Sequence, residues 1–381
     1  MNKFEIIVFT NGNSNDIKTW SNVPFLFTST LERCSSDYNI IVHRCDTRPF
    51  VEKFIPAKII LRVIDFGLGL VFGRYCWIET TKTYGKIIKY KMKKEIKKYP
   101  NSDCIFSFSF SDTVPSFKGK KVLFHDWTIQ YAIEEHLQRQ PQKFEWKVIE
   151  RQEKGIKDAD YVITFLPNVY EKLSLKFGDK IKYIGQFINI LEPFSLDDSI
   201  INERYETNDI VFIGKAKYKP ALIELEKAVL EYNKKHNGKW KINVIGMKNT
   251  TNKSDFCQFY GYLDKKISYQ REEYYSILKK SKIIVNTMDD WFGISSILEG
   301  MYYGLPIIVN PNIDTYETFG KNISFGYYVD SNNSNLILNA IDCISNISLD
   351  EYRKMSIESR NAVNDYTWEN YINKFLKLLL D

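Results

Sequence analysis

Residues 289–309 carry the most informative chemical pattern of the chain. They predict the end of a strand, a turn that contains Gly293, a helix, and a Gly-Leu-Pro break at 304–306 before another strand. At Gly293 the lack of a side chain lets a ligand approach the helix N-terminus, where unpaired N–H groups and the helix dipole favour a diphosphate. Glu299 follows inside this helix and could accept hydrogen bonds from two ribose hydroxyls. A plain strand–helix–strand junction with a solvated Glu299 is the alternative, although a carboxylate beside the apolar residues 297–298 costs more than one on the surface.

The elements that must position these residues are predicted from short apolar runs. Each run is rich in Ile, Val and Phe, is bounded by turn residues, and is continuously apolar rather than alternating. That pattern favours strands that are covered on both faces of a parallel sheet, with helices between them. The runs of the N-terminal half are 5–10, 39–43, 104–110, 121–125, 161–165 and 181–184.

The same alternation of strands and helices restarts at Asp209. A polar, turn-rich stretch precedes this point and forms a natural boundary. We therefore predict an α/β protein of two doubly wound, Rossmann-like parallel-sheet domains that face a central cleft. The predicted parts are a domain at 1–190, a linker at 191–208, a second domain at 209–365 and an amphipathic C-terminal helix at 366–381.

Composition bounds the class of protein. With 44% hydrophobic and 26% charged residues, the 381-residue chain is a globular protein of one or two domains, not a disordered chain or a disulfide miniprotein. Its net charge of +6 permits an anionic partner without identifying one.

The six cysteines form no C-x-x-C pair and the four histidines have no ligand-like spacing, which argues against a metal site and favours a reducing compartment. The start of the chain has no signal-peptide pattern, and charged residues interrupt the apolar stretch 58–77, so we expect a cytoplasmic protein.

The 289–309 pattern resembles the signature of family-4 retaining glycosyltransferases of GT-B fold, also called group 1 glycosyltransferases. That signature is an acidic residue, x-Phe-Gly, an apolar stretch, Glu-Ala/Gly and a Gly-x-Pro turn. The resemblance implies that Glu299 binds the donor ribose and that the turn at Gly293 and Ile294 contacts the sugar and diphosphate. The family's first acidic residue lies eight positions before the second, where this chain has Trp291; Asp290, one residue earlier, is the candidate for that role.

A second match covers residues 210–220. The family has a strand, Gly-Arg, and then a Lys before a helix, and Gly214, Lys215 and Lys219 occupy these positions. The resemblance implies that Lys215 and Lys219 neutralise the donor diphosphate and stabilise the leaving nucleotide. A lysine is a point charge rather than a two-pronged donor, so directional recognition of phosphate should be weaker than with arginine. A group of solvated lysines near a turn is the alternative.

Other positions match the family more generally. Gly261 and Tyr262 lie where the family holds the nucleotide base, largely through the backbone. Gly12 lies in the loop after the first strand, which in the family faces the donor phosphates and the acceptor. The absence of G-x-G-x-x-G there argues against a dinucleotide-binding domain. His125 ends a predicted strand and could hydrogen-bond the donor sugar or phosphate; simple packing is the alternative.

A lysine-rich stretch at 84–99 interleaves seven lysines with Ile, Tyr and Met. As a helix it would be cationic and amphipathic. It would then suit an anionic membrane surface or a lipid-linked acceptor, through Lys89, Lys93 and Lys97. The alternative is a helix that packs its apolar side inward and leaves its lysines solvated.

Taken over the chain, the resemblance implies a hexosyltransferase. It would move a hexose from a UDP- or GDP-sugar to a hydroxyl acceptor in a glycan, a glycolipid or a protein-linked saccharide. The anomeric configuration would be retained, no metal or other cofactor would be needed, and nucleic acid would not be a partner. The C-terminal helix would return to the N-terminal domain. The alternatives are a nucleotide-sugar epimerase of the same fold and a non-enzymatic basic protein that binds membranes or nucleic acid.

Overall fold

The structure is a computed structural model that describes residues 3–34, 38–48, 55–72, 81–110, 114–248, 255–288, 294–329 and 333–380. The chain divides into two compact units. The first is formed by Met1–Gly185 together with Trp368–Asp381, and the second by Gln186–Thr367. Each unit is built on a six-stranded sheet whose neighbouring strands are all parallel, which confirms the predicted α/β fold class.

The strands coincide with the continuous apolar runs of the sequence. Ile6, Ile7 and Val8 follow one another in the first strand and none is exposed, so both faces of this sheet are covered. The strands of the first unit are β1 (Phe4–Thr10), β2 (Ile40–Asp46), β3 (Cys104–Ser107), β4 (Lys120–Phe124), β5 (Tyr161–Ile163) and β6 (Ile181–Lys182). Those of the second unit are β7 (Asp209–Ile213), β8 (Lys241–Ile245), β9 (Cys257–Gly261), β10 (Ile283–Asn286), β11 (Ile307–Val309) and β12 (Gly326–Tyr328).

Helices connect the strands in both units. Those of the first unit are α1 (Val23–Arg33), α2 (Ile55–Phe72), α3 (Lys82–Ile96), α4 (Ile129–Tyr131), α5 (Lys143–Asp158), α6 (Pro167–Phe177) and α14 (Trp368–Leu380). Those of the second unit are α7 (Asp198–Tyr205), α8 (Lys219–His236), α9 (Ser268–Lys280), α10 (Ser295–Tyr302), α11 (Ile313–Phe319), α12 (Ser334–Asn346) and α13 (Leu349–Asn361). None of the described helices combines the length and the apolarity that crossing a membrane requires.

Two helices show how tertiary contacts complete the units. The C-terminal helix α14 packs on α1, where the rings of Phe27 and Phe375 are 5.3 Å apart between centroids. Helix α7 lies inside the polar stretch 191–208 and belongs to the second unit. Its Arg204 is buried and donates to the backbone oxygens of Lys279 and Tyr303, each at 2.6 Å. A segment that is polar in sequence is therefore fixed by a buried guanidinium.

Each sheet has one point at which the chain reverses its direction across the strands. The first sheet has the order β2-β1-β3-β4-β5-β6, so the reversal lies between β1 and β3. The second has the order β12-β11-β10-β7-β8-β9, so the reversal lies between β7 and β10. Ligands of open parallel sheets bind outside the carboxyl ends of the strands at such a point. The loops after β1, β3, β7 and β10 are therefore the expected places for a site.

Candidate active site

The loop after β7 places two cations at the start of a long helix. Lys215 precedes a 3₁₀ turn, Ala216–Tyr218, and Lys219 is the first residue of α8; both side chains are exposed. The first turn of α8 contains no acidic residue. Because the N-terminus of a helix already carries partial positive charge, two lysines there repel it and one another, and an anion would relieve both effects.

Three glycines from neighbouring loops contact one another beside these lysines. The amide of Gly214 donates to Ile245 at 2.9 Å, and the amide of Gly246 donates to Gly261 at 2.7 Å. Gly246 has φ +98°, and a Cβ atom there would lie 2.5 Å from the carbonyl oxygen of Gly214. Only glycine fits at 246, because any side chain would collide with backbone rather than with a movable group. The backbones after β7, β8 and β9 thus form one continuous surface.

Tyr262 is the residue after Gly261, at the edge of this glycine surface. It is 63% exposed, whereas the next residue, Leu263, is buried. The sequence prediction placed Gly261 and Tyr262 at the nucleotide base. The structure puts both at the carboxyl end of β9, two strands from the chain reversal beside β7.

Glu299 is buried, not solvated. It lies in α10 with 5% of its surface exposed, and its Oε2 accepts from Lys265 Nζ at 2.6 Å and from the Tyr274 hydroxyl at 2.7 Å. Both hydrogen bonds reach the same oxygen. Among the described residues no hydrogen bond reaches Oε1.

Lys265 makes this burial energetically possible. Its ammonium lies 4.2 Å from the centre of the Tyr274 ring and donates to the carbonyl of Asn189 at 3.4 Å, in addition to pairing with Glu299. A buried carboxylate without a partner would be strongly destabilising, and the adjacent cation offsets that cost. Burial, followed by the Glu299 charge, raises the pKa of Tyr274 well above its usual value, so this hydroxyl remains a neutral donor.

Sequence reasoning missed Lys265 and Tyr274 as partners of Glu299. The three residues come from the loop after β9, from α9 and from α10, which follow one another in the chain but share no motif spacing. Only the apolar surroundings of Glu299 in sequence signalled that its carboxylate would need a buried partner.

Three further residues were predicted in the turn before α10, and the structure describes only Ile294. Ile294 immediately precedes α10 and is 1% exposed, with its side chain in the hydrophobic core, so only its backbone is available to a ligand. Asp290 and Gly293 lie outside the described residues.

In the first unit, His125 immediately follows β4 at the carboxyl edge of the sheet. Its ring stacks on Trp20 with centroids 5.2 Å apart and planes 16° apart, and its Nδ1 pairs with Asp126. Burial raises the pKa of Asp126, but the charge and hydrogen bond of His125 outweigh it, so this pKa lies below the usual value.

Trp20 is a third residue that sequence reasoning did not assign to the site. It stands in the loop after β1 and its ring also contacts Phe108 and Phe124, which lie at the ends of β3 and β4. Trp20, Ser21 and Asn22 all have positive φ, at 41°, 52° and 73°. Such a run is costly for residues with side chains and is typically found where a functional geometry is held by its surroundings.

Gly12 lies in the same loop. It has φ +142°, and a Cβ atom would come within 2.7 Å of the Thr19 side chain. At Gly12 the loop therefore packs against its own residue Thr19, the neighbour of Trp20. Trp20 lies over the ends of β3 and β4. The contact of Gly12 with donor phosphate stays a prediction.

The lysines that were predicted to meet a membrane surface or a lipid-linked acceptor belong to α3 and the residue that follows it in the first unit. Lys89 is half-buried on α3, and Lys93 and Lys97 are exposed on and just after it. Ile88 and Met92 of the same helix are buried against β1 and β3, so the apolar side of α3 packs inward.

The described ranges contain no group of three or more His, Cys, Asp or Glu side chains placed to hold a metal ion. The Asp-Ala-Asp triplet at 158–160 has a structural role through Asp160, which accepts a hydrogen bond from the backbone amide of Lys121 at 2.7 Å.

Comparison with known proteins identifies the fold. No family model and no curated protein matches the sequence. Sucrose-phosphate synthase of Thermosynechococcus elongatus matches with a TM-score of 0.67 at 13% identity, over 99% of this chain and 98% of that one. A mutant of S. aureus TarM in complex with fondaparinux, α-GlcNAc-glycerol and UDP matches with a TM-score of 0.58 at 15% identity. That match covers 77% of this chain and 59% of TarM, so this chain spans about three fifths of TarM.

An enzyme of different chemistry matches as well. A putative UDP-N-acetylglucosamine 2-epimerase from Listeria monocytogenes has a TM-score of 0.56 at 12% identity, over 98% of this chain and 95% of that one. At these identities the matches show the fold and nothing finer. The two parallel six-stranded sheets with their helices are the GT-B fold that glycosyltransferases use, as the sequence resemblance implied.

Proposed function

We propose that the chain is a retaining glycosyltransferase of family-4 type, which moves a hexose from a nucleotide-diphosphate sugar to a hydroxyl acceptor. One observation carries the proposal. At the chain reversal of the second sheet, an exposed pair of lysines, a surface of touching glycine backbones and a buried, oriented glutamate follow neighbouring strands. A diphosphate, a nucleoside and its ribose require these three kinds of partner.

Lys215 and Lys219 would act on the diphosphate. Charge develops on it as the bond to the sugar breaks, and two cations at a helix N-terminus stabilise that charge without having to reorient. Their exposure in the structure keeps them available to a ligand. Asp290 and the turn at Gly293 and Ile294 complete the donor side in this proposal.

Glu299 would bind the ribose through Oε1. Lys265 and Tyr274 hold Oε2, which fixes the plane of the carboxylate and leaves the second oxygen for the two ribose hydroxyls. Gly261 and Tyr262 would hold the base, largely through the backbone.

The acceptor hydroxyl would attack from the side on which the diphosphate leaves, which retains the configuration. No residue is assigned as a covalent nucleophile, and no metal is assigned to the site.

His125 would hydrogen-bond the donor sugar or its phosphate. The acceptor would be a glycan, a glycolipid or a protein-linked saccharide, and the free cysteines among the described residues favour a reducing, cytoplasmic setting.

An epimerase is the second candidate, and the Listeria match favours it. It would use the same nucleotide site but would return a nucleotide sugar of unchanged mass. A transferase consumes the donor, releases the nucleoside diphosphate and adds a hexose to the acceptor. Product mass therefore separates the two.

The test is a calorimetric titration with UDP, GDP and their hexose conjugates, followed by mass spectrometry of acceptor mixtures with and without EDTA. Glu299→Gln should weaken nucleotide binding at least tenfold, because an amide is a poorer acceptor for ribose hydroxyls. The control Glu231→Gln changes an exposed glutamate of α8 and should bind as the wild type does. Binding of neither nucleotide would contradict the proposal, and loss of transfer with EDTA would contradict its metal independence.

A further inference from the structure

His125 of the first unit is confined by neighbours from three loops. Its ring stacks on Trp20, from the loop after β1, and lies 5.5 Å from the ring of Phe110, from the loop after β3. Its Nδ1 pairs with the carboxylate of Asp126, the next residue in the chain. The His125 side chain is nevertheless 33% exposed. The ring is therefore held in one orientation while part of it can meet a ligand.

Asp126 is itself fixed by backbone and side-chain contacts. Its Oδ1 accepts from the backbone amide of Trp127 at 2.9 Å, and its carbonyl oxygen accepts from the Thr164 hydroxyl at 3.0 Å. Thr164 is buried and directly follows β5, the strand beside β4 in the sheet. The carboxylate of Asp126 cannot turn away from His125 without losing its bond to the Trp127 amide.

Charge gives this pair a direction. Of the three neighbours of the His125 ring, Asp126 is charged, whereas Trp20 and Phe110 are neutral aromatic residues. Burial raises the pKa of Asp126, but the charge and hydrogen bond of His125 lower it by more, so the carboxylate is ionised at neutral pH. A carboxylate beside an imidazole favours the protonated ring and keeps a proton on the nitrogen that faces it. That nitrogen is Nδ1, so Nε2 on the other side of the ring is the donor to a ligand.

We infer that Asp126 is a positioning residue for the proposed transfer, on which this inference rests. It keeps a proton on Nδ1 of His125 and so presents the Nε2–H group to an oxygen of the donor sugar or of its phosphate. A hydrogen bond from a charged donor is about twice as strong as one from a neutral donor. Asp126 acts on the ligand only through His125.

A purely structural role is the rival explanation. Asp126 would then serve only to accept from the amide of Trp127, and His125 would only fill space beside Trp20. Both explanations expect a loss of stability when Asp126 is replaced, so stability does not separate them. They differ in the protonation of His125, and in whether the effect of Asp126 on transfer requires His125.

NMR of the ligand-free full chain tests the pairing without any sugar donor. With isotope-labelled histidine nitrogens, the His125 signals are identified by their loss in His125→Gln. In the wild type the ring should carry a proton on Nδ1 and should titrate at a higher pH than in Asp126→Asn. Asp160→Asn is the matched control, because Asp160 also accepts from a backbone amide, that of Lys121, at 2.7 Å. This control should leave the titration of His125 unchanged.

The pH profile of transfer tests the role of the pair. Asp126→Asn should lower kcat/KM at least about tenfold near pH 8, where His125 has lost its charge in this variant. Near pH 6 the loss should be less than about threefold, because His125 is then protonated in both proteins. Asp160→Asn should follow the wild-type profile.

A double-mutant cycle shows whether Asp126 acts through His125. His125→Ala removes the ring, so adding Asp126→Asn to it should change kcat/KM less than about twofold. An unchanged titration of His125 in Asp126→Asn would overturn the inference. So would equal losses of kcat/KM at both pH values, or the full loss persisting in the His125→Ala background.

Unfolding temperatures establish that each variant is folded. If Asp126→Asn does not fold, the wild-type spectrum decides, because a His125 ring without a proton on Nδ1 at neutral pH would overturn the inference. Absence of transfer by the wild-type chain would contradict the proposed function instead. The NMR titration would still decide whether Asp126 sets the protonation of His125.

Discussion

The two units share a parallel six-stranded sheet but differ in what lies at the carboxyl edge of that sheet. In the second unit the edge carries lysines, touching glycine backbones and a paired glutamate. In the first unit it carries aromatic rings, with Trp20 packed on Phe108, Phe124 and His125. The strand orders differ too, with three strands on each side of the reversal in the second sheet and an uneven division in the first.

The difference lies in the kind of ligand that each edge suits. Cations and backbone N–H groups are the partners that a diphosphate needs, and the second unit offers lysines beside touching glycines. An acceptor varies from enzyme to enzyme, and aromatic side chains offer shape and apolar area rather than a fixed charge pattern. In the proposed transfer the second unit binds the donor nucleotide, whereas the aromatic edge, which carries His125, would meet the donor sugar or its phosphate and the acceptor.

The largest expected effect tests the lysines of the donor side. Lys215→Ala/Lys219→Ala should lower turnover at least about a thousandfold, because charge on the leaving diphosphate loses both cations. Both side chains are exposed, so the unfolding temperature should stay within a degree or two of the wild-type value.

Lys234→Ala/Lys235→Ala is the control for that pair. It removes the same charge from the last turn of α8, at the other end of the helix. Equal loss of activity in both double variants would show that net charge, rather than position, is responsible.

The second effect concerns stability at the same edge. Lys265→Met should cost about 3–5 kcal/mol of unfolding free energy, because it leaves the Glu299 carboxylate buried without its cation. Lys266→Met, at the exposed neighbouring position, should cost less than about 0.5 kcal/mol. Urea denaturation measures both, and similar values would mean that Glu299 is not held by this pair.

A third, smaller effect addresses the aromatic edge. Trp20→Ala should cost about 2 kcal/mol, since several ring contacts are lost from a half-buried position. It should also raise KM for the acceptor more than KM for the donor, whose nucleotide binds the second unit in the proposed transfer. Trp146→Ala, at a 39% exposed tryptophan of α5, should change neither constant. A rise in donor KM alone would reverse our interpretation of the two edges.

The smallest effect is a pH dependence. The pKa of Asp126 is lower in the fold than its usual value of 3.8, so its stabilising contribution is present above that pH and is lost as the pH falls through the folded value. Asp126→Asn should therefore cost on the order of 1 kcal/mol at pH 6 and progressively less below pH 4. Asp158→Asn, at an exposed position, should show no such convergence with the wild type in urea titrations.

Much of the fold could be predicted because its strands are buried on both faces. The continuous apolar runs 5–10 and 121–125 predicted β1 and β4 to within one residue of their observed starts at Phe4 and Lys120. Helix α7 could not be predicted from the sequence, because the helix is held by the tertiary hydrogen bonds of Arg204 and has no apolar periodicity of its own.

The candidate site was predictable where its chemistry follows the backbone. Gly214 follows β7 and Gly261 is the last residue of β9, and their positions reflect close backbone approach. The partners of Glu299 lie 34 and 25 residues away along the chain, at Lys265 and Tyr274, and such pairings arise only when α9 and α10 pack. Trp20 was unpredictable for another reason, since nothing in its sequence context signals a positive φ.

The most direct test of the account is amide hydrogen exchange with and without saturating UDP or GDP, whichever binds. Binding of the nucleotide should protect residues 214–219, 246–248, 261–263 and 294–299 of the second unit. Residues 11–22 and 125–128 of the first unit should gain less protection from the nucleotide alone than from donor and acceptor together. Protection confined to those two segments of the first unit, with the second unit unchanged, would contradict the assignment of the donor site.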